Sequence, residues 1–361
     1  MPASPSGAGR GSARIAGLDL LRLLAALAVV FYHFCYRGTA GQNLSRVGFP
    51  ELAGVAKYAY LGVDLFFIIS GFVIAASAEG RTLAQFAIAR AGRLYPAFVV
   101  CMTATALVIA LADMPPHQVT FVQWLANLTM VAPWLSQSHM DGAYWSIVNE
   151  IVFYVWVGVL LGLGVLERRL LTILATWLAL CVLNEQVLHW DRLGTAFVTD
   201  YGPLFVSGIL IHRLWRGDRR PAVFGLLGAA FVLGGTHAFT MVKEFQYYFN
   251  APISIEVLLA LHGCLYVLFA AALWASRWIE PTPLVLALGG ITYPLYLLHQ
   301  TIGFIALTRL EPVMGRWAAL VVVVAGLIAA GWAVWRYAEP VGRPLVTNGL
   351  RRLVRVPIAA R

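Results

Sequence analysis

Residues 17–36 read Gly17-Leu18-Asp19-Leu20-Leu21-Arg22-Leu23-Leu24-Ala25-Ala26-Leu27-Ala28-Val29-Val30-Phe31-Tyr32-His33-Phe34-Cys35-Tyr36. The stretch has the length and apolar content that a helix needs to cross the hydrocarbon core, about 20 residues. Further windows of this kind run along the chain at 58–78, 86–111, 144–165, 170–188, 195–214, 221–241, 254–276, 283–307 and 316–336. Pro203 and Pro294 interrupt two of them, at 195–214 and 283–307, where the helical pattern is weakest. The pattern predicts an all-α fold, a polytopic membrane helix bundle of about ten transmembrane helices.

Composition points the same way. With 60% hydrophobic and 12% charged residues over 361 positions, the chain lies far outside the range of soluble globular proteins, which excludes a soluble enzyme. Cys35, Cys101, Cys181 and Cys264 stand singly in apolar runs with no Cys-x-x-Cys, so neither a disulfide framework nor a metal site is expected. The net charge of +9 comes from short basic clusters between apolar runs, a pattern of topology and not of nucleic-acid binding. Ten spans with both termini cytoplasmic put 19 of the 26 Lys and Arg inside and 7 outside, the latter being Arg37, Arg46, Lys57, Arg192, Lys243, Arg309 and Arg316.

Three parts are expected: a disordered cytoplasmic leader over 1–16, one membrane domain over 17–340 and a basic cytoplasmic tail over 341–361. The longest connection, 112–143, carries Trp124, Trp134, His117 and His139 but no Lys or Arg, and is expected to lie along the outer interface. No internal repeat and no appended soluble domain is apparent.

An ionisable group inside a spanning helix costs at least a few kcal/mol, roughly 2.5–3.5 on insertion scales, so each one asks for a partner or a function. In the first helix Arg22 and His33 are 11 residues apart, close to three full turns, so they share a face with His33 roughly 16 Å further along the axis. Asp19, one turn before Arg22, can pair with it. The bland account is that Arg22 snorkels to headgroups and His33 is packing glue. The chemical account is that a histidine is well suited to take a proton from a hydroxyl. Arg90-Ala91-Gly92-Arg93-Leu94-Tyr95-Pro96 places two guanidiniums one turn apart at the cytoplasmic mouth of the third helix, either as a topological anchor or as a grip on phosphate.

Tyr144-Trp145-Ser146-Ile147-Val148-Asn149-Glu150 sets Ser146, Asn149 and Glu150 on one flank of the fourth helix. Glu150 could orient His33, pair with a buried arginine or sit protonated, and the sequence leaves these open. Tyr293-Pro294-Leu295-Tyr296-Leu297-Leu298-His299 supplies a second mid-membrane histidine that competes with His33 for the role of base. Asp64, Asp200, Glu256 and His262 are further ionisable residues in the spans, for which structural roles are the simpler account.

In order and spacing these segments resemble bacterial acyltransferase family 3, integral-membrane enzymes that move acyl groups from acyl-coenzyme A to sugars and other hydroxyl acceptors. Arg22 and His33 match the family's Arg-x10-His pattern, Arg90 and Arg93 its Arg-x-x-Arg pattern, and Gly62 to Phe72 its second-helix stretch. Trp145-Ser146 with Glu150, Tyr293 to His299, and Glu339-Pro340 also look like family landmarks. The resemblance implies that His33 is the catalytic base, with Glu150 as an accessory catalytic group. It implies that Arg22, Arg90, Arg93 and Tyr95 handle the acyl donor, acetyl-coenzyme A or another acyl-coenzyme A. Asp64, Trp145, Ser146, Asn149 and His299 are the candidate acceptor-side residues, and no metal is implied. Some relatives carry a fused esterase-like domain beyond the membrane; here only a short basic segment follows the last span. The expected reaction is O-acetylation of a surface or exported glycan, free or lipid-linked, by an enzyme of the bacterial inner membrane. Acylation of a small secondary metabolite such as a macrolide, or a transporter of the glycan pathway, stands as the alternative.

Overall fold

In the computed structural model, residues 15–40 and 44–354 are described; the expected leader, apart from Ile15 and Ala16, and the end of the expected tail lie outside them. Among the described residues the structure is all-helical, with 82% helix. The helices are α1 (Ala16–Tyr32), α2 (Pro50–Ala56), α3 (Gly62–Ala78), α4 (Leu83–Ala112), α5 (Phe121–Asn127), α6 (Trp145–Gly162) and α7 (Leu166–Leu183). They continue as α8 (Asp191–Phe197), α9 (Gly202–Trp215), α10 (Pro221–Phe249), α11 (Ile255–Ala275), α12 (Pro283–Met314), α13 (Arg316–Ala333) and α14 (Glu339–Val354).

Among the described residues, 9 helical segments are long and apolar enough to cross a membrane. The window expected at 283–307 falls inside α12, whose 32 residues run on through Pro294 and Pro312. Its polar residues Thr292, His299, Gln300 and Thr301 are buried inside the bundle, which is why α12 is less apolar than the other spans. The window expected at 195–214 is α8 and α9 joined by a short turn, with Pro203 in the first turn of α9, where a missing N–H costs nothing. The segment set down as a tail from 341 is helical to Val354 and, as α14, packs along α4.

α1 lies between α3, α11 and α12, and α12 in turn contacts α4 and α13, so α1, which leads into His33, and α12, which carries His299, are both central. Helices α3 and α9 meet backbone to backbone. A Cβ on Gly71 would lie 2.1 Å from Phe205 O and one on Gly208 2.1 Å from Ile68 O, so only glycine permits the approach. Beyond Tyr32 the helix widens by one residue, with Gly38 N bonding to His33 O at 2.8 Å, an i→i+5 link that re-aims the residues after it. The long connection after α4 is stapled across one end of the bundle, by Asn127 Nδ2 to Ser138 O at 2.9 Å and Met140 N to Asn127 Oδ1 at 2.9 Å.

Candidate active site

The two histidines that compete in the sequence meet in the fold. His299 Nε2 lies 3.1 Å from His33 Nδ1, with the ring centroids 4.8 Å apart and nearly perpendicular. The surrounding bonds settle the tautomers. His299 Nδ1 sits 2.7 Å from Tyr296 O, and a carbonyl only accepts, so Nδ1 carries the proton and Nε2 of the neutral ring is an acceptor. His33 Nδ1 lies between that acceptor and Val29 O at 2.9 Å, so its proton is on Nδ1 as well. The lone pair of the neutral His33 ring is therefore on Nε2. His299 is wholly buried behind His33, and His33 lines a cavity of about 820 Å³.

That cavity also takes in Asp64, Trp145 and Asn149, together with Asp200, Glu244 and Gln300. The loops after α1 and α4 line its mouth through Leu44, His117 and His139. Burial lowers the His139 imidazole below its ordinary pKa, which favours its neutral form. Just ahead of α6, Asp141 accepts from Ala143 N at 2.9 Å and from Thr301 N at 2.8 Å, while Tyr144 OH donates to Leu297 O at 3.1 Å. These bonds clamp the histidine-bearing turn of α12 to the start of α6. Burial pushes the Asp141 carboxyl up to about 6, against the pull of its two N–H donors.

A second cavity of about 120 Å³ lies towards the Arg22 end of α1 and is lined by Arg22, Arg90, Arg93, Ser146 and Glu150. Arg22 pairs with Asp19 at 3.4 Å. Arg93 bonds both carboxylate oxygens of Glu339 at 3.2 Å and packs 5.8 Å from the Tyr293 ring. Glu150 accepts from Ser70 Oγ at 2.8 Å and from Tyr154 OH. The carboxylate thus belongs with the arginines, and the partner of His33 is His299. Arg90 Nε and Tyr293 OH are buried here without hydrogen-bond partners among the described residues. Three guanidiniums around a narrow space, with donors left over, fit an anionic molecule that sends in a slender polar arm.

The two cavities share Val63 and Tyr296 as a common wall. Tyr296 OH is held by Ser146 Oγ at 2.7 Å and donates to Ala143 O at 3.1 Å. Tyr95 joins neither cavity; it is 36% exposed on a groove with Val122 and Leu125. Of the remaining in-span groups, His262 is bonded to Phe231 O at 3.0 Å and Glu256 to Ser254 at the start of α11, both structural contacts. Asp141 and Tyr296, which tie α12 to the start of α6, and Gln300, which lines the large cavity, were missed by sequence reasoning. Tyr296 stands inside the Tyr293–His299 segment, while Asp141 and Gln300 lie just outside the Tyr144–Glu150 and Tyr293–His299 segments, which is the only sequence signal they offered.

A polytopic helix bundle with a histidine pair at one cavity and three arginines at a second that shares Val63 and Tyr296 with it suits a membrane enzyme of the group-transfer type. The family model described as "Acyltransferase domain" matches residues 15–336. The chain belongs to that family and is an acyltransferase. It is similar to the exopolysaccharide production protein ExoZ of Rhizobium meliloti (strain 1021), with 27% identity over 315 residues, covering 83% of this chain and 93% of the relative. No solved structure matches it.

Proposed function

We propose that the protein is a bacterial inner-membrane O-acyltransferase. It moves an acyl group, acetyl in our reading, from cytoplasmic acyl-coenzyme A to a hydroxyl of a surface or exported glycan, with both chain termini cytoplasmic. The observation that carries this is the shared lining: Val63 and Tyr296 face both the arginine-lined cavity and the His33 cavity. The glycan is inferred from the similarity to a protein of exopolysaccharide production.

Arg22, Arg90 and Arg93 attract the donor's phosphates at the cytoplasmic side. A cavity of about 120 Å³ is too small for the nucleotide and suits the pantetheine arm, so the thioester arrives at the Tyr296 partition while the nucleotide stays behind. The acceptor hydroxyl enters the larger cavity and gives its proton to His33 Nε2, and its oxygen attacks the thioester carbonyl. The imidazolium formed is stabilised by Val29 O, and by His299 Nε2 accepting from Nδ1. Ser146, whose Oγ lies 2.7 Å from Tyr296 OH, and Trp145 and Asn149 of the larger cavity are the donors available to the developing oxyanion. Collapse of the tetrahedral intermediate breaks the C–S bond, and the leaving thiolate takes the proton back from His33. An ester and free coenzyme A result.

Sidedness tests the reading. In sealed vesicles of known orientation, acetyl-coenzyme A supplied on the cytoplasmic side is expected to acylate a glycan presented only on the other side. Transfer only when donor and acceptor share the cytoplasmic compartment would overturn the vectorial arrangement.

A further inference from the structure

Beside His299 on α12 stands a residue that no part of the mechanism above uses. Gln300 is 7% exposed and lines the large cavity, and its Oε1 has no hydrogen-bond partner among the described residues. A buried acceptor without a donor is unfavourable, so the amide gains a partner when it turns its oxygen to a hydroxyl in the cavity. The backbone around it is held rigidly, with Thr301 N on Asp141 and Leu297 O on Tyr144 OH. Room for the amide is made by Gly142, where a Cβ would lie 2.4 Å from Gln300 Nε2.

The rest of the lining has the same bias. Asp64, Asp200 and Glu244 bring three carboxyl groups into the cavity, and Arg37 one guanidinium. Arg37 already donates to Ala40 O at 3.2 Å and lies 5.1 Å over the Phe249 ring. Acceptor oxygens outnumber cationic donors, so a ligand is matched by O–H groups and opposed if it is anionic. Trp145, Tyr201 and Tyr60 add aromatic surface that suits the C–H faces of a ring. The volume of about 820 Å³ falls within the usual range of small-molecule sites.

We propose that the large cavity takes an uncharged polyhydroxylated ring, a neutral sugar unit, and that Gln300 Oε1 accepts the hydrogen bond of a hydroxyl next to the one His33 deprotonates. This deepens the acyl-transfer reading and rests on it. Gln300 is then a specificity residue that an acidic sugar or a sulfated one cannot use to the same effect, because the three carboxyl groups lining the same cavity disfavour a further negative charge there.

The test uses the full chain in lipid nanodiscs, with cellotriose and laminaritriose and their glucuronate-terminated counterparts as probes and acetyl-coenzyme A as donor. The neutral trisaccharides are expected to be acylated with kcat/KM at least about tenfold above the glucuronates. Gln300→Leu is expected to raise KM for the neutral sugars up to about tenfold, the loss of one hydrogen bond, while acceptor-free hydrolysis of acetyl-coenzyme A is unchanged. Gln300→Glu, which restores an acceptor oxygen, is expected to recover KM on neutral sugars and to reject glucuronates more strongly. Equal use of both sugar classes, an unaltered KM in Gln300→Leu, or a matching fall in donor hydrolysis would overturn the proposal. Should the protein process no acetyl-coenzyme A at all, the acyl-transfer reading fails. Saturation-transfer NMR of the same four sugars then decides the present proposal separately: binding of the neutral pair alone supports it, and any other pattern refutes it.

Discussion

Replacing His299 by leucine removes one of the two acceptors that hold the His33 ring and leaves the other in place. After the substitution His33 Nδ1 still has Val29 O at 2.9 Å, so the tautomer with a free Nε2 survives, and what is lost is the 3.1 Å contact to His299 Nε2. One such hydrogen bond contributes about 0.5–1.5 kcal/mol. At roughly 1.4 kcal/mol per factor of ten, the rate should fall about two- to tenfold. His33→Gln removes the base itself and should cost about 10² to 10⁴ in rate. The ratio between the two variants is therefore the quantity to measure, by release of coenzyme A thiol at saturating acceptor in lipid nanodiscs. Thermal unfolding must accompany it, because leucine leaves Tyr296 O without the donor now 2.7 Å away, a stability cost of about 1–3 kcal/mol. A folded His299→Leu variant as inactive as His33→Gln would transfer the role of base to His299. A His33→Gln variant within tenfold of wild type would take the role of base from His33 and move it to His299 or Glu150.

Arg93→Ala should weaken donor binding about tenfold or more and leave acceptor KM unchanged, since a charge-assisted contact to phosphate is lost; equal affinity for coenzyme A by calorimetry would reduce the pair Arg90 and Arg93 to a topological anchor. Gly208→Val should prevent assembly of α3 on α9, because the new Cβ meets Ile68 O at 2.1 Å and backbone cannot step aside; a monodisperse, thermally normal variant would refute this packing. Asp141 is expected to tune stability with pH. Its carboxyl, held up at about 6, binds a proton more readily in the folded chain than in the unfolded one, so the wild type loses stability as pH rises from about 4 to about 6. Asp141→Asn lacks that titration and should gain on the wild type over the same interval by on the order of 3 kcal/mol; a constant gap between the two melting curves would contradict the burial argument.

The fold class was legible because lipid imposes a local rule. Every spanning segment must satisfy its own backbone and present about 20 apolar residues, so α1 or α11 can be read from its own residues without reference to any neighbour. The shared face of Arg22 and His33 was legible for a similar reason, as helical geometry fixes it once the helix is granted. Family membership followed from the order of short motifs along the chain. The partnership of His33 with His299 was not available in this way. The two are 266 positions apart, and only the packing of α12 on α1 decides that the rings touch and that Glu150 is turned towards the arginines. The same holds for the division of the polar residues between two cavities with Tyr296 as their wall, and for the unpartnered oxygen of Gln300. Periodicity assigns a side chain to a face of its own helix; which helix covers that face is settled by how glycines such as Gly71 and Gly208 let neighbours approach.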